Sequence, residues 1–255
     1  MRILLTNDDG IHAPGLLALK NVLAGTAAVD VVAPIAEQSA VGHSITLHRP
    51  LRVIEIERDG DFIGYGVNGA PADCVKLALA ELLKERPDMV VSGINLGANV
   101  GVNVLYSGTV AAAVEGAMVG IPSLAASIEI GDRPQFDAAA RIVGDLIRRL
   151  PLAELDQHVI LNVNVPAVLP SEIKGIRVTR QSTRPPEEAF DRRTDPRGGG
   201  YYWITADFDG LAEEDGTDFN ALRDGYVSIT PMHFDMTCHA LLPRLSKWNV
   251  GGDLA

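Results

Sequence analysis

Short apolar runs alternate with segments of helical spacing along the first part of the chain. Arg2–Thr6 is an apolar run that stops at a turn cluster of asparagine, aspartate and glycine, which predicts a buried strand. Residues 14–24 begin with proline and carry leucines at helical spacing, which predicts a helix. Residues 29–33 form a second apolar run. A strand, a helix and a strand in this order indicate a βαβ unit with parallel strands.

The same alternation continues along the chain. Predicted helices cover residues 72–83, 110–119 and 136–150, and predicted strands cover residues 88–92, 122–127 and 158–165. Residues 44–65 resemble antiparallel strands instead, with Asp59-Gly60 as the hairpin turn. This pattern predicts an α/β fold built on a doubly wound mixed sheet with helices on both faces.

The pattern changes after about residue 180. Residues 181–200 are rich in Arg, Pro, Asp and Gly and show little apolar periodicity, so we interpret them as a loop or as an arm that only a partner subunit orders. Residues 225–230 again predict a strand, and residues 240–247 predict a short helix. We therefore expect one domain over residues 1–255, with a core to about residue 180 followed by an arm and a terminal segment.

Composition and charge exclude several classes of protein. The 255 residues are 47% hydrophobic and 22% charged, as in a soluble globular domain, and the net charge of −11 disfavours binding to a nucleic acid duplex or an anionic membrane. No apolar run reaches the roughly 18 residues of a membrane span, and the N-terminus lacks a signal peptide pattern. Cys74 and Cys238 have no metal-binding spacing, which favours a reduced cytoplasmic protein.

The first candidate for chemistry is the acidic pair Asp8-Asp9, directly after the first strand. Open α/β sheets bind ligands at the carboxyl ends of their strands. Adjacent carboxylates repel one another unless a proton or a cation lies between them, and hard oxygen ligands favour Mg²⁺ or Mn²⁺. The alternative is an ordinary turn in which Asn7 or Asp8 caps the next helix.

A glycine-rich segment follows the strand predicted at residues 88–92. Glycines at 93, 97 and 101 allow backbone amides to approach an anion, and Asn95 and Asn99 add neutral oxygen ligands or donors. The segment is neither a Walker A loop nor a GxGxxG turn, which argues against a dinucleotide-dependent oxidoreductase. A flexible connecting loop is the alternative.

A third segment, Tyr106-Ser107-Gly108-Thr109-Val110, opens an alanine-rich helix. Ser107 or Thr109 is suited to cap this helix, and the amides of its first turn favour an anion such as phosphate. An ordinary capped helix is the alternative. All three segments are expected at one edge of the sheet, where a metal and a phosphate together explain them.

Ser39 follows the second strand and is therefore also expected at this edge, as a metal ligand or as a solvent-facing turn residue. No GxSxG motif surrounds it, which disfavours a nucleophilic serine. His12 and His43 are acid/base candidates to which the sequence assigns no role. Asp235 and His239, four residues apart, are either a pair that fixes a C-terminal arm or an ordinary solvated pair.

Together these segments resemble the SurE family, the stationary-phase survival proteins that are metal-dependent nucleotidases. The matching motifs are Asn7-Asp8-Asp9-Gly10, Ala13-Pro14-Gly15, Ser44-Ile45-Thr46, Asn68-Gly69-Ala70-Pro71-Ala72-Asp73-Cys74-Val75, Ser92-Gly93-Ile94-Asn95, Tyr106-Ser107-Gly108-Thr109-Val110, Asn162-Val163-Asn164-Val165-Pro166 and Gly225-Tyr226-Val227-Ser228-Ile229-Thr230-Pro231. They occur in the family's order across nearly the whole chain.

The resemblance implies a Rossmann-like core that holds one divalent cation per subunit, Mg²⁺ or Mn²⁺. The implied metal ligands are Asp8, Asp9, Ser39 and Asn95, and the predicted substrate-binding residues are Asn99, Ser107, Gly108 and Thr109. It also implies removal of phosphate from nucleoside 5′-monophosphates, often from 3′-monophosphates and in some members from short polyphosphate. Family members form homodimers or homotetramers by exchanging C-terminal elements.

Three positions depart from the family's usual pattern. Ala40 stands where glycine usually follows Ser39, Ala70 replaces a threonine, and Asn103 replaces a common acid. None of these changes removes an implied ligand. They leave substrate preference and metal affinity open.

The sequence supports the hypothesis that water, activated at the metal, attacks the phosphoryl group while Asp8 or Asp9 assists as a catalytic general base. A covalent aspartyl-phosphate is the mechanistic alternative. A non-catalytic regulatory protein that binds nucleotides through the same metal is the alternative from another functional class.

Overall fold

The structure is a computed structural model that describes residues 1–132, 134–156, 158–207 and 214–248. The strands are β1 Arg2–Thr6, β2 Ala28–Pro34, β3 Val53–Arg58, β4 Asp61–Val67, β5 Met89–Leu96, β6 Ser123–Ile128, β7 Val159–Val165, β8 Ile176–Val178, β9 Glu187–Thr194, β10 Gly200–Asp207 and β11 Val227–His233. The α-helices are α1 Pro14–Leu23, α2 Pro71–Leu77, α3 Gly108–Met118, α4 Phe136–Arg149, α5 Asp218–Arg223 and α6 Leu242–Lys247.

Nine of these strands form one mixed sheet in the order β3-β4-β2-β1-β5-β6-β7-β11-β8. Its strands are mostly parallel, and the antiparallel pairs are β3 with β4 and β7 with β11. α1 and α4 pack on one side around Leu16, Leu19 and Val143, whereas α2 and α3 pack on the other around Val75 and Ala112. The predicted α/β fold is therefore confirmed, because apolar strand faces are covered by helices on both sides.

Several predicted boundaries move. Residues 44–52 form no strand, and the hairpin consists of β3 and β4 with Asp59 and Gly60 at positive φ in its turn. The helix predicted over residues 72–83 is α2 followed by a π-helical turn, Ala78–Leu82. β5 runs on to Leu96 instead of ending at residue 92, so Asn95 lies on a strand and not in a loop.

The interpretation of residues 181–200 as a loop is wrong for nine of its twenty residues. β9 and the first residue of β10 lie within it, and the two strands pair as an antiparallel hairpin. Apolar periodicity does not mark this hairpin because its large side chains stay exposed, including Phe190, Tyr202, Trp203 and Ile204. Its ordering by a partner subunit stays a prediction.

The chain beyond residue 180 also contributes to the main sheet. β11 lies between β7 and β8, where it pairs antiparallel to β7 from Ser228 to His233. The predicted short terminal helix is present as α6. The division into a core and an arm stays a prediction. β11, which follows residue 180, belongs to the same sheet as the strands before that residue.

Neither cysteine is in a disulfide. Cys74 is buried on α2, and its burial raises the pKa of its thiol, whereas Cys238 is exposed. None of the helices in the described residues is long and apolar enough to cross a membrane.

A close approach between α3 and the sheet depends on Gly116. A Cβ atom there would lie 2.5 Å from Ser123 Oγ and 2.8 Å from Val90 Cβ. We expect Gly116→Ala to lower the free energy of unfolding by about 1–3 kcal/mol, because extra volume in a packed core forces its neighbours apart. Urea unfolding measures this change. The matched control is Gly25→Ala, where the nearest atom is 3.7 Å away, and an equal effect of both substitutions would contradict the argument.

Candidate active site

The predicted site residues converge at the carboxyl ends of β1, β2 and β5. These strands are parallel, so their ends meet at one edge of the sheet. A cleft of about 250 Å³ lies there, and its walls include Asp8, Ser39, Asn95, Asn99, Asn103 and Ser107. A larger groove of about 610 Å³ runs beside α2 and α3 but contains none of the predicted site residues. The chemistry of the lining therefore favours the smaller cleft.

Asp8 is buried against the start of α3. The backbone N–H of Thr109 donates to Asp8 Oδ2 at 3.1 Å, and the Thr109 hydroxyl donates to Asp8 Oδ1. Gly108 makes this approach possible, because a Cβ atom there would lie 3.0 Å from the Asp8 Cβ. Burial raises the pKa of Asp8, while the Thr109 hydrogen bonds oppose that rise. Thr109, predicted to bind substrate, is fully buried and holds Asp8.

Asp9 lies beside Asp8 in a more open position. Its Oδ2 accepts a hydrogen bond from the backbone N–H of Leu96 at 3.1 Å, which joins the loop after β1 to the end of β5. Its Oδ1 has no partner among the described hydrogen bonds. Partial burial, together with the charges of Asp8 and Glu37, raises the pKa of Asp9 to about 6. The two adjacent carboxylates therefore favour a cation or a proton between them.

Ser39 lies on the loop after β2, at the wall of the same cleft. Its hydroxyl donates to Glu37 Oε1 at 2.5 Å, which leaves the lone pairs of its oxygen available to a cation. Glu37, which sequence reasoning missed, also raises the pKa of Asp8 through its charge. Ala40 has a φ of +52°, a conformation that favours glycine, which explains why glycine is the usual residue there.

The donor set fits a hard divalent cation. Asn95 donates through Nδ2 to the carbonyl of Gly97 at 2.7 Å, which leaves its Oδ1 as a neutral ligand. With Asp8, Asp9 and Ser39, the implied set consists of oxygen atoms alone, as Mg²⁺ and Mn²⁺ prefer. Within the described residues, no three His, Cys, Asp or Glu side chains could together hold a metal ion. The implied set does not need them, since only two of its members are acids.

Ser107 caps α3, so of the two candidates for the N-cap, Ser107 and Thr109, the structure selects Ser107. Its Oγ accepts from the backbone N–H of Val110 at 3.1 Å, so its hydroxyl proton can point into the cleft. The first turn of α3 offers fewer amides to an anion than the sequence suggests, because the Thr109 amide is bonded to Asp8. The Gly108 amide has no partner among the described hydrogen bonds. Ser107 and Gly108 therefore keep donors for an anion.

Asn99 is fixed by residues that sequence reasoning did not assign to the site. Its Nδ2 donates to Ser127 Oγ at 2.8 Å, its N–H donates to Asn164 Oδ1 at 2.8 Å, and its carbonyl accepts from Asn162 Nδ2 at 2.7 Å. Asn162 and Asn164 are fully buried on β7. The signal that could have found them is the pair of asparagines in an otherwise apolar strand.

A second group of unassigned residues holds the same segment at Gly101. Asp218 Oδ2 accepts from the Gly101 N–H at 2.8 Å, and its Oδ1 accepts from the Ser182 N–H at 3.1 Å. Gln181 Nε2 donates to the Gly101 carbonyl at 2.9 Å. Burial raises the pKa of Asp218, although its hydrogen bonds oppose this. Residues from the C-terminal third thus position the segment that leads to Ser107.

The remaining candidates lie outside the cleft. His43 Nε2 is 2.8 Å from Glu115 Oε1, which does not favour it as an acid/base group, and His12 is exposed. Asp235 and His239 do form a pair, with Asp235 Oδ2 2.7 Å from His239 Nε2.

Comparison with known proteins agrees with this site. The model of the family described as "Survival protein SurE" matches residues 3–188. A protein from Syntrophobacter fumaroxidans named "5′-nucleotidase SurE" is 50% identical over 98% of this chain and 100% of its own length. One of the same name from Syntrophus aciditrophicus is 49% identical over 96% of this chain and 92% of its own length.

The fold also matches a solved structure. The crystal structure of the SurE protein from Aquifex aeolicus is 41% identical to this chain and superposes with a TM-score of 0.86. The match covers 98% of this chain and 100% of that one. Because the family model, the relatives and the fold agree over most of the chain, the chain belongs to the SurE family.

Proposed function

We propose that this chain is a 5′-nucleotidase that releases phosphate from nucleoside 5′-monophosphates with the help of a divalent cation. The observation that carries the proposal is that Asp8, Ser39, Asn95 and Ser107 line one cleft, with Asp9 bonded to the backbone N–H of Leu96 in its wall. The relatives named "5′-nucleotidase SurE" support the reaction class. The oxygen-only donor set supports Mg²⁺ or Mn²⁺.

Asp8, Asp9, Ser39 and Asn95 are the residues that would hold the cation. When bound, it would supply a Lewis acid for a phosphate oxygen and lower the pKa of a water molecule. Asp8 is suited to a fixed ligand position because Thr109 and the start of α3 hold both its oxygens. Ser39 and Asn95 add neutral oxygens, which limit the negative charge that a phosphate would meet.

The chain's own donors then act on the phosphate. The Ser107 hydroxyl and the Gly108 amide at the start of α3 would donate to phosphoryl oxygens and stabilise the negative charge that develops there. Asp9 is the better general base, because its Oδ1 has no hydrogen bond among the described residues, whereas Thr109 engages both oxygens of Asp8. Water attack therefore agrees better with this arrangement than an Asp8 nucleophile.

The finer substrate range follows from the family resemblance. We propose that 3′-monophosphates and short polyphosphate are also substrates, as the resemblance implies. For polyphosphate, the neutral amide of Asn103 in the cleft wall avoids the repulsion that an acid there would exert on additional phosphate groups. A cytoplasmic location stays a prediction.

Phosphate release should require both the metal and Asp8. Chelator-treated protein is expected to release phosphate from 5′-monophosphates only after Mg²⁺ or Mn²⁺ is added. Asp8→Asn should lower this rate by about 100-fold or more, because even outer partners of metal ligands contribute 10–100-fold. Inorganic phosphate is measured across a panel of 5′- and 3′-monophosphates and polyphosphate.

The matched control is Asp224→Asn, which changes a partly exposed ion pair with Arg177 at the C-terminal end of α5, outside the cleft lining, and should leave the rate unchanged. Metal-bound wild-type protein that binds nucleotide tightly without releasing phosphate would favour a regulatory binding protein instead. A trapped phospho-enzyme would favour the covalent alternative.

In the metal-free protein, the acid pair Asp8-Asp9 should lower the free energy of unfolding once the pH is high enough to ionise both carboxyl groups. Aspartate titrates near 3.8 in the unfolded chain, whereas Asp9 titrates at about 6 in the folded protein. The contribution of protonated Asp9 to the free energy of unfolding is therefore complete below about pH 4 and is lost as the pH rises through about 6. Asp9→Asn should therefore stabilise the chelator-treated protein increasingly over this range. Urea midpoints at a series of pH values measure the effect. Asp224→Asn should instead lower the free energy of unfolding as the pH rises. Arg177 lowers the pKa of Asp224, so the ionised form of Asp224 stabilises the folded protein.

We also propose that the chain forms a homodimer or homotetramer by exchange of C-terminal elements. The exposed apolar side chains of the β9–β10 hairpin support this, since Phe190, Tyr202, Trp203 and Ile204 are each more than half exposed. The Asp235–His239 pair orders the turn before α6, where Asp235 Oδ1 also accepts from the Thr237 N–H at 2.9 Å.

Asp235→Ala should weaken the oligomer, because it removes both hydrogen bonds that shape the turn before α6. Light scattering with size-exclusion chromatography measures the mass at several protein concentrations. Asp224→Asn again serves as the control. If Asp235→Ala leaves both the oligomer and phosphate release unchanged, the pair is an ordinary solvated one.

A further inference from the structure

Glu115 is a buried carboxylate in the middle of α3. Its side chain is only 7% exposed, and it lies between alanine, valine and glycine residues of that helix. His43 Nε2 is 2.8 Å from Oε1, and Lys76 Nζ donates to Oε2 at 3.2 Å. Desolvation alone would raise the pKa of Glu115, but these two partners outweigh it and lower that pKa. Glu115 therefore acts as a fixed, charged anchor.

The two partners come from different parts of the fold. Lys76 lies on α2, whereas His43 belongs to the segment between β2 and β3, residues 35–52, which has no helix or strand. We refer to this segment as the Ser39 loop, since it carries that implied metal ligand. The contact between His43 and Glu115 thus fastens a loop without regular structure to the helix whose first turn forms part of the cleft.

The Ser39 loop has few other anchors near the cleft. The Gln38 N–H donates to the Asp8 carbonyl at 2.8 Å, and the Gly42 N–H donates to the Tyr106 carbonyl at 2.9 Å. Between these two points, residues 39–41 make no backbone hydrogen bond among those described. The position of Ser39 therefore depends on how firmly both ends of this short span are held. His43, next to Gly42, reinforces the second end.

α3 then acts as a common frame for the cleft. Its first turn holds Asp8 through Thr109, and its middle holds the Ser39 loop through Glu115. Because a helix is rigid over two turns, these contacts fix where Ser39 lies relative to Asp8.

We propose that His43, through Glu115, is a positioning residue that keeps Ser39 in place for the divalent cation of the reaction. We assign His43 no acid or base role, because it does not line the cleft and its Nε2 faces the buried Glu115. This proposal rests on the proposed metal-dependent nucleotidase function. Its specific content is that loss of the His43–Glu115 contact weakens the binding of metal, while catalysis with metal bound is largely retained.

The test compares wild-type protein with His43→Ala. Mn²⁺ affinity, measured by calorimetry on chelator-treated protein, should fall about tenfold, at the low end of what outer partners of metal ligands contribute. At saturating Mn²⁺ the kcat for 5′-monophosphate should stay within about threefold of wild type, since no group that touches phosphate has changed. Amide hydrogen exchange of residues 38–46 should be faster in the metal-free variant.

Two further variants separate positioning from general stability. His43→Gln keeps an N–H donor for Glu115 and should recover most of the Mn²⁺ affinity and the slow exchange. Lys76→Ala removes the other partner of the same carboxylate. Lys76 lines a groove with residues 45–47 of the Ser39 loop but not with residues 38–43, which include Ser39 and His43. Lys76→Ala should lower the thermal midpoint but change neither Mn²⁺ affinity nor exchange of residues 38–46.

Unchanged exchange of residues 38–46 in His43→Ala would overturn the proposal, and so would faster exchange with unchanged Mn²⁺ affinity. An equal loss of affinity in Lys76→Ala would also overturn it, because the effect would then be one of stability. If the wild-type protein itself neither binds Mn²⁺ nor releases phosphate, the proposed function is wrong. The proposal that His43 positions Ser39 for the metal is then wrong as well. Hydrogen exchange still shows in that case whether His43 fastens the loop.

Discussion

The candidate site depends on one buried contact, in which the start of α3 is pressed against Asp8. A carboxylate loses much of its hydration there, and the amide and hydroxyl of Thr109 replace part of it at the positive end of a helix. This contact requires a close approach of helix and sheet, which Gly108 and Gly116 permit. The small residues along α3 are therefore as much a condition for the site as the acids are.

The sequence contains enough information to predict the parts of the site that depend on local structure. Asp8 and Asp9 come directly after an apolar run, and Ser107 stands at a recognisable helix start, so parallel strand order alone brings them together. Asn164 and Asp218 could not be found in this way, because they contact Asn99 and Gly101 across 65 and 117 residues. Only the completed sheet, with β7 and α5 in place, creates those contacts.

Two other differences have the same physical origin. The sequence does not indicate the β9–β10 hairpin, because its described side chains are largely exposed on both faces and no hydrophobic pattern is needed to form it. The glycines around Asn95 predict a loop, but in β5 Gly93 lets the strand continue where a Cβ atom would lie 2.2 Å from the Ala126 carbonyl oxygen. Glycine thus breaks a strand in one setting and permits close strand packing in another.

The contrast between the two thiols has a practical consequence. Cys74 is a buried residue of α2 whose thiol has a raised pKa, so it should resist alkylation, whereas Cys238 is exposed between Asp235 and α6. A maleimide fluorophore or spin label added to the native protein would therefore attach at one place, in the C-terminal segment and away from the cleft. Energy transfer between two such labels would report whether that segment is exchanged between copies, without any substitution in the chain.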